Sequence, residues 1–115
     1  MTFVYKVCSK KEWKDASEIG YFSGSEVDKK DGFIHLSTKS QIEVTVSKHF
    51  SGQKNLLIIQ FEEDKLVNQL KWEISRNGQL FPHYYGNINT ELRDKEFNLE
   101  LGINGVHEFP KNFFS

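Results

Sequence analysis

Asp31-Gly32-Phe33-Ile34-His35-Leu36-Ser37-Thr38 (DGFIHLST, residues 31–38) packs a turn signal, a short strand and a helix start into one stretch. Asp-Gly favours a turn. Side chains alternate along a strand, so Ile34 and Leu36 point to one face while Phe33, His35 and Ser37 share the other. The apolar pair reads as core. The other face sets an imidazole and a hydroxyl beside an aromatic ring, just before a helix N-terminus with unpaired N–H groups and partial positive charge. An anionic group such as a phosphate can dock there. Capping by Ser37 and Thr38 accounts for the same residues without a ligand.

On the N-terminal side, Thr2–Val7 alternates and is rich in β-branched and aromatic residues, which predicts a strand. Ser9-Lys10-Lys11-Glu12 fits a capping box, with Cys8 and Trp13 placed as its hydrophobic staple. Trp13, Ala16 and Ile19 fall on one helical face expected to be buried, and Gly20 is placed to end the helix. Residues 21–30 (YFSGSEVDKK) read as a loop, either a binding element or a solvated connector. On the C-terminal side, Thr38 and Gln41 repeat the capping-box pattern. Ile42, Val46 and Phe50 then recur at helical spacing, and Gly52 follows as a stop. His49 is expected to be half-buried in packing.

Asn55–Phe61 (NLLIIQF) is nearly continuous in apolar residues, as in a central strand covered on both faces. Leu70–Ser75 alternates, with Leu70, Trp72 and Ile74 expected in the core. Asn77-Gly78 signals a two-residue hairpin turn, returning through Gln79–Tyr85. In that register Arg76 opposes Gln79, Ile74 opposes Phe81 and Trp72 opposes His83. Phe81, His83 and Tyr85 then share the Trp72 face, and Glu73 takes the other; a bulge at the turn exchanges them. Pro82 marks an edge or irregular strand. Asn87–Lys95 holds a helical turn, Phe97, Leu99 and Leu101 alternate as a further strand, and Asn104-Gly105 turns into Val106–Phe109. Phe113 or Phe114 pins the terminus. This order predicts an α+β fold: a single small domain over residues 1–115, with mostly antiparallel twisted sheet and two main helices.

Composition narrows the function classes. The 115 residues carry 15 Lys+Arg against 16 Asp+Glu, a net charge of -1, which argues against nucleic acid as a partner held mainly through phosphates. The longest apolar run, Leu56–Ile59, is strand length, far short of a membrane span. Lys6, Lys10 and Lys11 interrupt any leader-like segment, so a cytoplasmic protein is expected; a small-molecule ligand is expected from the polar candidates below. Cys8 is the single cysteine, so it forms no internal disulfide and no cysteine zinc cage. It reads as a small hydrophobe rather than a nucleophile. Ten Phe, four Tyr and two Trp supply the large buried areas.

The chemistry-bearing candidates are His35, Glu73 and His83 as catalytic groups, with Phe33, Ser37, Arg76, Tyr84 and Tyr85 as ligand contacts. Aromatic rings stack on a base, His and Ser meet ribose or phosphate hydroxyls, and Arg supplies charge. A histidine that titrates near neutral pH can orient a hydroxyl or shuttle a proton. There is no Gly-x-Ser-x-Gly elbow for a serine hydrolase and no Gly-rich phosphate loop. The four histidines lack the spacing of helix-borne metal ligands, so no metal site is expected.

DGFIHLST, Lys48-His49-Phe50-x-Gly52, Leu70-Lys71-Trp72-Glu73, Ser75-Arg76 and Leu80-Phe81-Pro82-His83-Tyr84-Tyr85-Gly86 together resemble domain-of-unknown-function family 952 across nearly the whole chain. That family is grouped with the ADP-ribosyltransferase-like fold. The resemblance implies that His35 sits where the NAD-stacking Tyr, or the corresponding His, lies in ADP-ribosyltransferases and RNA 2′-phosphotransferases, with Ser37 beside it. It admits NAD as a cofactor and implies a nucleotide or ADP-ribose-type site. The first strand carries Tyr5-Lys6 where such enzymes usually have a His or Arg, and Glu73 is the nearest counterpart of their late catalytic Glu. The alternative implied by the same scaffold is a non-catalytic module binding a metabolite or a protein.

Overall fold

The computed structural model describes residues 2–115. Strand β1 (Phe3–Ser9) leads into helix α1 (Lys10–Ile19). A short strand β2 (Tyr21–Phe22), helix α2 (Glu26–Asp31), strand β3 (Ile34–His35) and helix α3 (Ile42–His49) follow. Strand β4 (Leu56–Glu62) precedes a hairpin of β5 (Leu70–Ile74) and β6 (Leu80–Tyr84). Strands β7 (Ile88–Asn89), β8 (Arg93–Leu101) and β9 (His107–Glu108) complete an α+β domain with three helices.

Among the described residues three antiparallel sheets run β1-β4-β8-β9, β2-β7 and β3-β6-β5. The first and third meet at one bridge, where Tyr5 N donates to Ser37 O at 2.8 Å and Ser37 N donates back to Tyr5 O at 2.9 Å. That bridge sets the end of β3 against the middle of β1. Strand β4 is buried on both faces, as its composition predicts. Leu57, Ile59 and Phe61 join a core with Val4, Trp13, Phe22, Ile34, Leu36 and Tyr84. Leu56 and Ile58 join a second core with Tyr5, Val7, Ile42, Val46 and Leu99. Phe113 closes this second core edge-on to Tyr5, with ring centroids 5.4 Å apart, and so pins the terminus.

The first cap forms as read. Glu12 N donates to Ser9 Oγ and Ser9 N donates to Glu12 Oε1, and Gly20 ends α1 at φ 98°, a conformation that suits glycine. The second box does not cap its helix: α3 starts only at Ile42, with Gln41 as N-cap and no side-chain cap bond, although Thr38 N donates to Gln41 Oε1 and the Thr38 hydroxyl pairs with Ser40. Cys8 lies in the first core, and burial pushes its thiol up to about 12, as befits a hydrophobe.

Four other expectations are corrected. Ile19 is exposed, because α1 buries only Trp13 and Ala16. Residues 21–30 are not a plain loop: they pair as β2 and wind as α2, the helix starting where Ser25 N donates to Asp28 Oδ2. His49 is exposed rather than half-buried. The hairpin turn takes in Arg76 as well as Asn77-Gly78, both of the latter left-handed, and Ser75 N donates to Gln79 O. The register therefore slips by one: Trp72 opposes Pro82, Glu73 opposes Phe81 and Lys71 opposes His83. One residue of slip exchanges the two faces. Glu73 lies on the His83 face; Leu70 packs against the core with Tyr84 as expected, but Trp72 and Ile74, on that same face, lie beyond the core and are exposed.

Candidate functional site

Helix α2, strand β3, helix α3 and the β5–β6 hairpin surround a cleft of about 560 Å³. His35, Ser37 and His83 line it, together with Asp28, Asp31, Thr45, His49 and Arg76. The strand alternation of residues 33–37 puts His35 and Ser37 there while Ile34 and Leu36 enter the core.

His35 is held at both ring nitrogens. Nδ1 lies 2.6 Å from Asp28 Oδ1 and Nε2 lies 3.0 Å from Asp31 Oδ2. A carboxylate only accepts, so the 2.6 Å contact has Nδ1–H donating to Asp28. Behind the ring, Asp28 receives four donors: the His35 ring and backbone N–H on Oδ1, and Lys6 Nζ (2.7 Å) and Ser25 N on Oδ2. Burial acts to raise the Asp28 pKa. The His35 hydrogen bond, the Lys6 ammonium and the Ser25 N–H outweigh it and hold the carboxyl well below its usual range. Lys6 is almost wholly buried and also donates to His35 O, so this ion pair anchors β1, α2 and β3 to one another.

His83 is buried beside His35, their ring centroids 5.7 Å apart. Its Nδ1 lies 2.7 Å from Glu73 Oε1, which also accepts from the Tyr85 hydroxyl at 2.8 Å. The bonds from His83 and Tyr85 hold the Glu73 carboxyl below its usual pKa, and the same contact raises the Tyr85 phenol. Phe33 stacks on His83 at 4.1 Å and touches His35 and Tyr85. The slipped hairpin register produces this arrangement, because it puts Glu73 on the face of His83.

The opposite wall is hydroxylic and basic. Arg76 Nη2 donates to Thr45 Oγ1 (3.2 Å), which lies 3.2 Å from Ser37 Oγ, and the guanidinium rests on the Phe81 ring. Among the described residues no carboxylate comes within ion-pair distance of Arg76. Although the His49 residue is exposed as a whole, its pKa is lowered, by partial desolvation at the cleft first and then by the charges of Arg76, His35 and Lys48.

Seven of the eight sequence candidates thus form one cluster, with His35, Ser37, Arg76 and His83 lining the cleft, Phe33 packed on the histidines, and Tyr85 against Phe33 and bonded to Glu73. Glu73 supports His83 and is not part of the cleft lining. Tyr84 is the correction. It alternates away from His83 into the core, where its hydroxyl donates to Gln69 Oε1. Sequence reasoning missed Lys6, Asp28, Asp31 and Thr45 as parts of the site. Lys6 carried a signal: a charged residue on the Val4–Cys8 face of a buried strand requires a buried partner. Among the described residues no cluster of three metal-ligating side chains occurs.

The fold and cleft define a small α+β domain built around a carboxylate-anchored pair of histidines. The family described as "Protein of unknown function (DUF952)" matches residues 7–92, and the chain belongs to it. The chain is also similar to protein CC0527 from Caulobacter crescentus. Against that protein's X-ray crystal structure it is 43% identical, with a TM-score of 0.89 over 93% of this chain and 94% of that one. Against its solution NMR structure it is 44% identical, with a TM-score of 0.82 over 92% and 91%. No curated protein matches the sequence.

Proposed function

We propose that the cleft binds a small anionic ligand of nucleotide or ADP-ribose type. The observation that carries this reading is the Arg76 guanidinium. It sits in the cleft wall with no carboxylate partner among the described residues, next to the Ser37 and Thr45 hydroxyls. A planar guanidinium with free N–H groups suits a phosphate or carboxylate. His35 and His83 then face the ligand's hydroxyls, with Phe33 as the apolar floor behind His83.

The order β1, α1, β3, α3 around the cleft supports kinship with the ADP-ribosyltransferase-like fold, and with it NAD or a 2′-phosphorylated nucleotide as ligands to try. Two observations favour binding over transfer. Lys6, at the place where such enzymes usually carry a His or Arg, is committed to Asp28. Glu73 supports His83 rather than lining the cleft. A non-catalytic metabolite-binding module is therefore the second reading.

The test is a titration of the ¹H–¹⁵N spectrum with NAD⁺, ADP-ribose and a 2′-phosphorylated nucleotide. Saturable shifts at residues 33–38 and at Thr45, lost in Arg76→Ala and His35→Ala, are expected. Absence of shifts with all three at millimolar concentration refutes the nucleotide reading.

A further inference from the structure

Strand β5 lies at the edge of the β3-β6-β5 sheet, with one side unpaired among the described residues. The bond from Ser75 N to Gln79 O sets the alternation of the hairpin. Lys71, Glu73 and Ser75 turn their backbone groups toward β6, and Leu70, Trp72 and Ile74 turn theirs outward. Leu70 packs against the core beside Tyr84, while Trp72, Ile74 and Leu80 run on past it and are exposed, Ile74 by 75% and Leu80 by 53%. An edge with free N–H and C=O groups beside exposed apolar side chains is a template for another strand.

The sequence of β5 says which strand. Leu70-Lys71-Trp72-Glu73-Ile74 reads apolar, charged, aromatic, charged, apolar from either end, with the two charges opposite in sign. Turned antiparallel on itself about Trp72, it sets Trp72 against Trp72, Leu70 against Ile74 and Lys71 against Glu73. The outward backbone groups fall on the Trp72–Trp72 and Leu70–Ile74 pairs, which are the hydrogen-bonded pairs of that register. Lys71 and Glu73 fall on the closer, non-hydrogen-bonded positions, where opposite charges stabilise and like charges repel. Within one chain Lys71 has no carboxylate partner among the described residues; its ammonium lies over the Tyr85 ring.

We propose that two copies of this chain associate through their β5 edges, in an antiparallel register centred on Trp72, to form a six-stranded sheet β3-β6-β5-β5-β6-β3. The pairing places Lys71 of each copy beside Glu73 of the other, and Glu73 is the residue that orients His83 in the cleft. A strand of a different protein would gain the same backbone bonds but not this reciprocal charge match.

Sedimentation equilibrium of the whole chain, with amide hydrogen exchange at high and low protein concentration, tests this. The expected mass is twice the 13.4 kDa chain at high concentration. The amides of Leu70, Trp72 and Ile74 should gain protection in step with it. Lys71→Glu and Glu73→Lys should each be monomeric, since each sets like charges opposite one another, and mixing the two should restore the dimer. Trp72→Pro should be a folded monomer, since it removes an outward N–H while leaving the β5–β6 bonds in place. A wild-type chain that stays monomeric at millimolar concentration overturns the proposal. So does a dimer that survives all three substitutions, or a mixture of the charge variants that stays monomeric. Protection of the β5 edge only on adding a foreign extended peptide would overturn self-pairing and assign the edge to another protein.

Discussion

Asp28→Asn removes one charge and keeps the side-chain shape, so its cost measures what the carboxylate does. In the wild type that carboxylate faces Lys6 Nζ at 2.7 Å, and both side chains are almost fully buried. The substitution leaves an ammonium without its counter-ion in the interior and offers an amide NH₂ where Oδ1 or Oδ2 accepted two bonds. Breaking a buried pair by removing one partner costs about 3–5 kcal/mol. At roughly 4 °C per kcal/mol for a domain of this size, Tm falls by about 12–20 °C. Thermal and urea unfolding followed by circular dichroism at pH 7 reads this directly. Lys6→Met with Asp28→Asn should recover part of the loss, because the unpaired ammonium is gone. The pH dependence has a definite sign. The folded-state pKa of Asp28 lies below its unfolded value, so its contribution is full above about pH 4 and is lost as pH falls further. The acid limb of the stability profile should be shallower in the variant. A cost under about 1 kcal/mol, or a double variant equal to the sum of the singles, refutes the reasoning.

Tyr5→Phe should leave stability unchanged or raise it by up to about 1 kcal/mol, because the Tyr5 hydroxyl is buried with no partner among the described residues; urea unfolding checks it. Gly24→Ala should destabilise by about 1–3 kcal/mol, read from the same curves. Gly24 has φ +103°, and an added Cβ would meet Asp28 Cβ at 2.6 Å. Glu73→Gln should lower the Tyr85 phenol pKa toward its ordinary value, because the carboxylate that raises it is removed; NMR titration of the tyrosine ring signals follows this. Cys8 should resist a thiol reagent in the native protein and react at once in denaturant, given its burial and raised pKa.

The parts of the fold set by local rules were legible in the chain. β4 announced itself through an apolar run longer than one face requires, and α1 through Ser9, Glu12 and Gly20 at capping positions. The faces of β3 followed from alternation alone. The hairpin register was not legible, because it depends on whether Arg76 belongs to the strand or to the turn, and alternation then transmits that choice to every side chain. Helix α2 was missed for a different reason. Its one apolar residue, Val27, is exposed, so no hydrophobic period marks it. The helix is held by the polar contacts of Asp28 to residues distant in sequence, which no window of neighbouring residues displays. Both carboxylates of the clamp on His35, Asp28 and Asp31, went unread with it, while His35, Ser37 and His83 were found because strand faces bring such residues together.

The full set of donors on Asp28 bears on how this sequence can change over time. Its acceptor positions are taken by groups from residues 6, 25 and 35, drawn from three separate elements. A substitution at Lys6 leaves a carboxylate under-bonded, and one at Asp28 strands an ammonium. Neither step is neutral without the other. Glutamate at position 28 would be longer by one methylene in a position already bonded on both oxygens. These positions should therefore change as a group or not at all, and a homologue that departs at one should carry a compensating departure at another. Epistasis of this kind ties the inner wall of the cleft to the first strand of the chain.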